Sequence, residues 1–283
     1  MRAVLKPSCL EELFTLLERH PRAMPMAGGT DLLIKLRNTA AADARRPVLA
    51  LGRMAEMHGI RAEGESLSIG AAETFSGIIA DPLARKQAPL LRLAARHVGG
   101  PAIRNMATIG GNICTASPAG DSLPPLYLLD AAVEIVSRRG RRRLPISQFI
   151  LAPGRTSLGE GELVTRVLLP RDGCFPCQSF EKVGRRRSMA ISVTSFAGQA
   201  RLDDHGSIAA ARFAWGSVTP TVARFPALEH ALVGARLDDE TIRHAAEIVR
   251  SGVSPIDDIR AGAQYRRIVA GNLLVRFLEG LRG

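Results

Sequence analysis

Residues 108–121 read TIGGNICTASPAGD, and a shorter stretch about eighty residues earlier, residues 27–31, reads AGGTD. Each stretch holds a Gly-Gly pair followed by a short polar side chain, and we expect each pair to lie where a strand ends. Glycine permits positive φ and lets a ligand approach the backbone N–H groups, and successive N–H groups in such turns bind anions. One Gly-Gly pair alone is more often a tight turn. Two pairs in one chain predict loops that together bind a pyrophosphate.

The glycine spacing excludes the commonest nucleotide-binding loops. The chain has no GxxxxGK[ST] sequence, and neither glycine pair has the GxGxxG spacing of a Rossmann turn. An ATP site or a nicotinamide site of those two kinds is therefore not expected.

Length and composition indicate one large folded domain or two moderate ones. Of the 283 residues, 46% are hydrophobic and 23% are charged. No apolar run reaches the roughly 20 residues of a membrane span, and the N-terminus lacks a signal-peptide core, so we expect a cytoplasmic protein. Cys174 and Cys177 have CxxC spacing, but no second pair completes a metal site, and no metal is expected here.

The order of apolar patterns predicts an α+β protein with two domains. Glycine, proline, cysteine and charged residues cluster over residues 171–178, which favours a boundary there and domains over 1–172 and 173–283. The second domain is expected to hold a three-stranded sheet followed by helices. Its strands are predicted near 178–183, 190–201 and 207–218, and its helices near 226–232, 238–250 and 258–280.

Several motifs resemble those of the FAD-binding medium subunits of molybdenum hydroxylases, a family that includes the flavoprotein subunits of xanthine dehydrogenase and aerobic carbon monoxide dehydrogenase. The resemblance extends nearly from end to end and rests on residues 27–31, 103–105, 108–121, 257–260 and 265–267. It implies a two-part FAD-binding domain of the vanillyl-alcohol-oxidase (PCMH) type. A small α+β domain, like the C-terminal domain of the carbon monoxide dehydrogenase flavoprotein, would follow it.

The resemblance also implies which residues bind FAD, and it implies non-covalent binding. Both glycine loops would surround the pyrophosphate, and Asp121 would lie near the ribityl chain or the phosphates. Val98 and Val164 would flank the flavin, and Lys182 lies near a family lysine. The implied cofactor-binding residues are Ala27, Gly28, Gly29, Thr30, Asp31, Val98, Thr108, Ile109, Gly110, Gly111, Asn112, Asp121, Val164 and Lys182. No catalytic side chain and no metal ligand is implied in this chain.

The function implied by the resemblance is electron transfer within an oxidoreductase complex. A molybdenum cofactor on a large subunit would hydroxylate the substrate, and [2Fe–2S] clusters on a small subunit would pass electrons to FAD here. NAD⁺, oxygen or another acceptor would then take them up. The implied assembly is a dimer of heterotrimers.

Two other functions are compatible with parts of the sequence. A stand-alone FAD-dependent oxidase of the same fold would need its own substrate domain, and it would often attach its flavin covalently, for which only His97 and Cys114 lie near the motifs. A nucleic-acid-binding protein is suggested by the net charge of +11 and by arginine runs such as residues 185–187. Only 4% of the residues are aromatic and no nucleic-acid-binding motif is present, so no nucleic-acid partner is expected. We expect these arginines to dock acidic partner subunits instead.

Overall fold

The computed structural model describes residues 2–37, 46–171, 175–186 and 189–282. The chain divides into two compact units, each built from several segments. The first unit comprises Met1–Ala88, Gly99–Ala116 and Asp130–Arg171, and the second comprises Pro89–Val98, Ser117–Leu129 and Asp172–Gly283. The boundary predicted between residues 172 and 173 lies outside the described residues, as do Cys174 and Arg187.

A small parallel sheet opens the first unit. Its strand order is Val4–Leu5, Val48–Ala50, Met24–Met26. The helix Leu10–Arg19 joins the first strand to the strand Met24–Met26, and it buries Leu13 and Phe14. This strand–helix–strand unit places the first glycine loop directly after a strand, as predicted from the sequence.

A larger antiparallel sheet completes the first unit. Within the described residues it has five strands, in the order Ile60–Glu63, Ser66–Gly70, Leu163–Pro170, Ala132–Ser137, Gly140–Pro145. The central strand is buried along almost its whole length and even includes Arg166, whose guanidinium donates to the Gly59 carbonyl oxygen at 3.1 Å. A buried charge of this kind requires such partners.

The remaining elements of the first unit are mostly short. A two-stranded sheet pairs Ile150–Ala152 with Arg155–Thr156. The helices are Leu32–Arg37, Ala55–Met57 (a 3-10 turn), Phe75–Ala80, Pro82–Gln87, Pro101–Arg104, Ile109–Thr115 and Ile146–Phe149.

The second unit is an antiparallel sheet with helices, as expected, but the sheet has four strands in the described part of the chain rather than the predicted three. They lie in the order Cys177–Val183, Thr194–Leu202, Ile208–Gly216, Ala223–Arg224. The additional strand pairs only two residues with its neighbour, which is too short to leave an alternating pattern in the sequence. The helices are Pro89–Ala95, Leu123–Leu128, Pro226–Ala231, Asp239–Gly252 and Ala263–Gly280.

An aromatic cluster forms the core of the second unit. Phe196, Phe213, Trp215 and Phe277 pack with ring centroids 5.3–6.3 Å apart. The Trp215 indole N–H donates to the Ala270 carbonyl oxygen at 3.0 Å, which fixes the C-terminal helix on the sheet. Among the described residues, no helix combines the length and apolar character needed to cross a membrane.

Candidate functional site

The first glycine loop, residues 27–31, presents unused backbone donors. It connects the strand Met24–Met26 to the helix Leu32–Arg37, and Gly29 adopts a φ of +71°. Within the described residues, the N–H groups of residues 28–31 donate no hydrogen bond to another protein group. Consecutive free N–H groups around a residue with positive φ bind phosphate oxygens well. The loop therefore has the donor set that an anion requires.

The conformation of this loop depends on contact with the segment before the second glycine pair. A Cβ atom on Gly28 would overlap the carbonyl oxygen of Met106, so the two backbones touch where only glycine fits. The Thr115 hydroxyl donates to Asp31 Oδ2 at 3.2 Å, which joins the two regions a second time. The structure thus brings together the two motifs that the sequence separates by about eighty residues.

The second glycine pair lies in a helix. Gly110 and Gly111 occupy the first turn of Ile109–Thr115, so the prediction that this pair ends a strand was wrong. Thr108 is the N-cap, and its hydroxyl accepts the Gly111 N–H at 3.1 Å. The cap and the tertiary contacts of this turn outweigh the low helix propensity of two glycines.

The backbone donors of this turn are already used inside the protein. The N–H groups of Ile109 and Gly110 donate to the carbonyl oxygens of Glu73 and Ala71 at 3.0 and 2.9 Å. A Cβ atom on Gly110 would lie 2.6 Å from the Ala71 Cβ and 2.7 Å from its carbonyl oxygen. Gly110 therefore allows the helix to pack closely on the backbone at Ala71. Gly111 is the exposed member of the pair.

Val164 connects to this region through the backbone. It lies on the strand Leu163–Pro170 with a buried side chain. The carbonyl oxygen of the next residue, Thr165, accepts the Ala71 N–H at 2.9 Å, and the Ala71 carbonyl oxygen in turn accepts the Gly110 N–H. The strand that carries Val164 is thereby joined through Ala71 to the first turn of the glycine-containing helix.

The other predicted site residues, Val98, Asp121 and Lys182, belong to the second unit. There the Lys182 ammonium lies 2.6 Å from Asp121 Oδ2, with both side chains less than a tenth exposed. The Ser192 hydroxyl donates to Asp121 Oδ1 at 2.7 Å, and Lys182 also donates to the His97 carbonyl oxygen at 3.0 Å. Burial raises the pKa of Asp121, against the opposing effect of the Lys182 charge.

Sequence reasoning missed three contributors to these arrangements. Met106 and Ala71 act through backbone atoms, which no side-chain motif reports, and Ser192 sits in an apolar stretch without a signal of its own. The described residues contain no group of three or more His, Cys, Asp or Glu side chains that could hold a metal ion. Cys177 is a free thiol.

These features define an α+β protein with a glycine loop, residues 28–31, whose backbone N–H groups, free in the part of the chain that the structure describes, form the donor set that an anion such as a phosphate requires. Residues 1–172 match the family described as "FAD binding domain in molybdopterin dehydrogenase", and residues 178–281 match "CO dehydrogenase flavoprotein C-terminal domain". The chain therefore belongs to the FAD-binding subunits of the molybdopterin dehydrogenases, a family of oxidoreductases, and FAD is the cofactor of the matched domain.

Individual relatives agree with this family assignment. The chain is 36% identical over 269 residues to the xanthine dehydrogenase FAD-binding subunit of Escherichia coli O157:H7, covering 92% of this chain and 89% of that protein. It is 33% identical over 286 residues to the nicotinate dehydrogenase FAD-subunit of Eubacterium barkeri, covering 98% and 96%. A chain in the structure of quinoline 2-oxidoreductase from Pseudomonas putida 86 superposes with a TM-score of 0.91 at 27% identity, covering 99% and 96%.

Proposed function

We propose that residues 28–31 bind the pyrophosphate of FAD through their backbone N–H groups. The observation that carries the proposal is that these donors are unused, around Gly29 with its φ of +71°, while the donors of the second glycine pair are used internally. The Asp31 carboxylate beside them is neutralised by Lys35 at 2.6 Å and accepts the Thr115 hydroxyl. An anionic ligand therefore meets donors rather than a free negative charge.

The second glycine region has a different task in this proposal. The capped helix from Ile109 fixes the segment against which Gly28 packs, and it presents the exposed Gly111 and the half-buried Asn112 side chain as further contacts. The chain contributes binding and orientation, and the chemistry when FAD is bound is that of its isoalloxazine ring, which exchanges electrons singly or in pairs.

We propose that Val98, Asp121 and Lys182 support flavin binding. Both carboxylate oxygens of Asp121 already have partners, Lys182 on one and Ser192 on the other. Its contribution in this proposal is to fix the segments that carry these residues within the second unit.

We further propose that the chain works as the electron-transfer subunit of a complex with two partners. One would be a large subunit with a molybdenum cofactor, and the other a small subunit with [2Fe–2S] clusters. Electrons would pass from those clusters to FAD on this chain, and then to NAD⁺, oxygen or another acceptor in the cytoplasm. The support is that the relatives are named as FAD subunits of xanthine and nicotinate dehydrogenases. A dimer of such heterotrimers is the assembly to test by mass.

The test is purification of the chain with co-expressed large and small subunits, followed by a visible spectrum and mass identification of the acid-released cofactor. About one FAD per chain together with iron–sulfur absorbance is the expected result. FAD without any partner would favour the stand-alone oxidase. A folded chain that stays colourless after FAD is added would overturn the proposal.

A matched pair of variants locates the site. Gly29→Ala should weaken FAD binding about 5- to 30-fold, because holding alanine at positive φ costs about 1–2 kcal/mol and relief of that strain turns the N–H groups away. Gly64→Ala is the control, since Gly64 also has a positive φ (+57°) and no atom lies within 4 Å of its added Cβ. Equal FAD affinity in the two variants, measured by flavin fluorescence titration, would remove residues 27–31 from the site.

A further inference from the structure

A loop in the second unit exposes two isoleucine side chains to solvent, although hydrogen bonds fix its backbone. The loop lies between the helices Asp239–Gly252 and Ala263–Gly280, and the side chains of Ile256 and Ile259 are 68% and 89% exposed. The adjacent carboxylates keep the backbone in place, because Asp257 accepts the Ala263 N–H at 2.6 Å and Asp258 accepts the Arg260 N–H at 2.8 Å.

A buried arginine anchors the same loop to the sheet. Arg266 is 3% exposed, and its guanidinium donates to Asp258 Oδ1 at 2.8 Å and to the carbonyl oxygens of Val193 and Ser217. The exposed isoleucines therefore belong to a rigid surface, which would lose little conformational entropy on binding a partner.

A second exposed apolar segment adjoins this loop. The guanidinium of Arg185 donates to the Ile259 carbonyl oxygen at 3.2 Å. Met189 and Ile191, at 57% and 54% exposure, line an open groove of about 400 Å³. Arg185, Arg186 and Arg260 line it as well. We name Arg185, Arg186, Met189, Ile191, Ile259 and Arg260 the arginine–isoleucine patch.

The charges on this patch are only partly compensated. Arg260 pairs with Asp258 at 2.8 Å. In the described part of the chain, no carboxylate lies within ion-pair distance of Arg185 or Arg186, whose guanidinium groups donate to carbonyl oxygens. Contiguous exposed apolar side chains mark binding surfaces, and unpaired cations at their rim select partners of opposite charge.

We propose that the arginine–isoleucine patch docks a partner protein subunit whose surface has an apolar recess ringed by carboxylates. The inference rests on the proposed function, which places this chain in a complex. A second copy of the chain does not fit, because a two-fold contact of the patch with itself would bring arginines against arginines in a chain of net charge +11. A nucleic acid would meet the arginines but leave the isoleucines unexplained.

The test uses the full-length chain with two changes in the patch, Arg185→Glu and Ile259→Asp. The control carries the same two kinds of change elsewhere on the second unit, Arg243→Glu and Val233→Asp, where Val233 is 51% exposed. The probes are the separately purified large and small subunits, each titrated against the chain at physiological salt. Dissociation constants come from sedimentation or surface-binding measurements, and FAD content and thermal unfolding are recorded for every variant.

The patch variant should bind one of the two subunits at least tenfold more weakly than the unchanged chain, and the control should stay within about twofold. Both should keep their FAD and unfold within a few degrees of the unchanged chain. If the double change fails to fold, Ile259→Ser alone serves, because that side chain packs against almost nothing. The loss of affinity caused by the charge reversal should be smaller at high salt, because salt screens the interaction between the charges.

Three outcomes overturn the inference: unchanged affinity in the patch variant, a chain that holds FAD but binds neither subunit, or an oligomer of the chain that the patch changes dissociate. Failure of the proposed function has a different signature. In that case the unchanged chain binds no FAD, whatever its affinity for the two subunits.

Discussion

Replacement of Lys182 by methionine tests the buried ion pair of the second unit. The substitution removes the ammonium that lies 2.6 Å from Asp121 Oδ2 and keeps most of the side-chain volume. The Asp121 carboxylate, itself less than a tenth exposed, then keeps the Ser192 hydroxyl at 2.7 Å as its side-chain hydrogen-bond donor, and the only other side chain among the described residues that favours its charge is His97. A buried carboxylate with one neutral donor is strongly destabilised relative to water.

The expected loss of stability is large. Removal of one partner from a buried ion pair costs about 3–5 kcal/mol, because the remaining charge is uncompensated. For a domain of this size, about 2–4 °C of unfolding midpoint corresponds to each kcal/mol, so the midpoint should fall by roughly 6–20 °C. The measurement is thermal unfolding followed by circular dichroism on protein stripped of FAD, since a bound ligand would add its own stabilisation.

The pH dependence of the stability loss distinguishes an uncompensated Asp121 charge from a simple packing defect. Without Lys182, the pKa of Asp121 is raised further in the folded state, while in the unfolded state it keeps its ordinary value. The folded variant therefore binds the proton more tightly, and its deficit relative to the unchanged chain shrinks as the pH falls and grows as the pH rises. The gap in unfolding midpoint should be smaller at pH 5 than at pH 8.

A second substitution provides the internal control. Asp121→Asn in the Lys182→Met background removes the stranded charge and should recover a large part of the lost stability. A midpoint within about 2 °C of the unchanged chain in the single variant would refute the reasoning, and so would a deficit that does not change with pH. The FAD content of the double variant shows in addition whether the carboxylate charge is needed for flavin binding.

Three further substitutions examine the glycine-containing helix. Gly110→Ala should lower stability by about 1–3 kcal/mol in urea unfolding, because its Cβ would lie 2.6 Å from the Ala71 Cβ. Gly111→Ala should leave the unfolding midpoint within about 2 °C, since its Cβ meets only the Thr108 hydroxyl at 3.0 Å, yet lower FAD affinity in a fluorescence titration if this exposed face contacts the cofactor. Thr108→Val removes the N-cap and should cost about 1 kcal/mol of stability, measured in the same urea series.

Much of the fold was readable because the signals are local. The strand Met24–Met26 ends just before the first glycine pair, where the sequence predicts a strand end. The predicted helix over 238–250 corresponds to Asp239–Gly252, where the Asp238 side chain caps the first turn by accepting the Thr241 N–H at 2.8 Å. Caps and periodicity act within a few residues, so sequence reports them well.

The remainder depends on contacts that sequence does not encode locally. The helical state of Gly110 and Gly111 depends on the contact with Ala71, far away along the chain. Asp121 finds Lys182 at a separation of 61 residues, and Ser192 at 71. No spacing rule joins such positions, so the resemblance could assign Asp121 and Lys182 to the same cofactor without indicating that they bind each other.

The two glycine pairs are required for different physical reasons, although their sequences look alike. The first pair belongs to a loop with unused donors, since the N–H groups of residues 28–31 have no partner among the described residues. The second pair satisfies its own donors and gives the first a firm support, because Gly28 packs on the backbone of Met106, two residues before the cap Thr108. A chain with only the first pair would have the N–H donors but would lack the backbone surface at Met106 that holds them in place. The occurrence of both motifs together is therefore more informative than either alone.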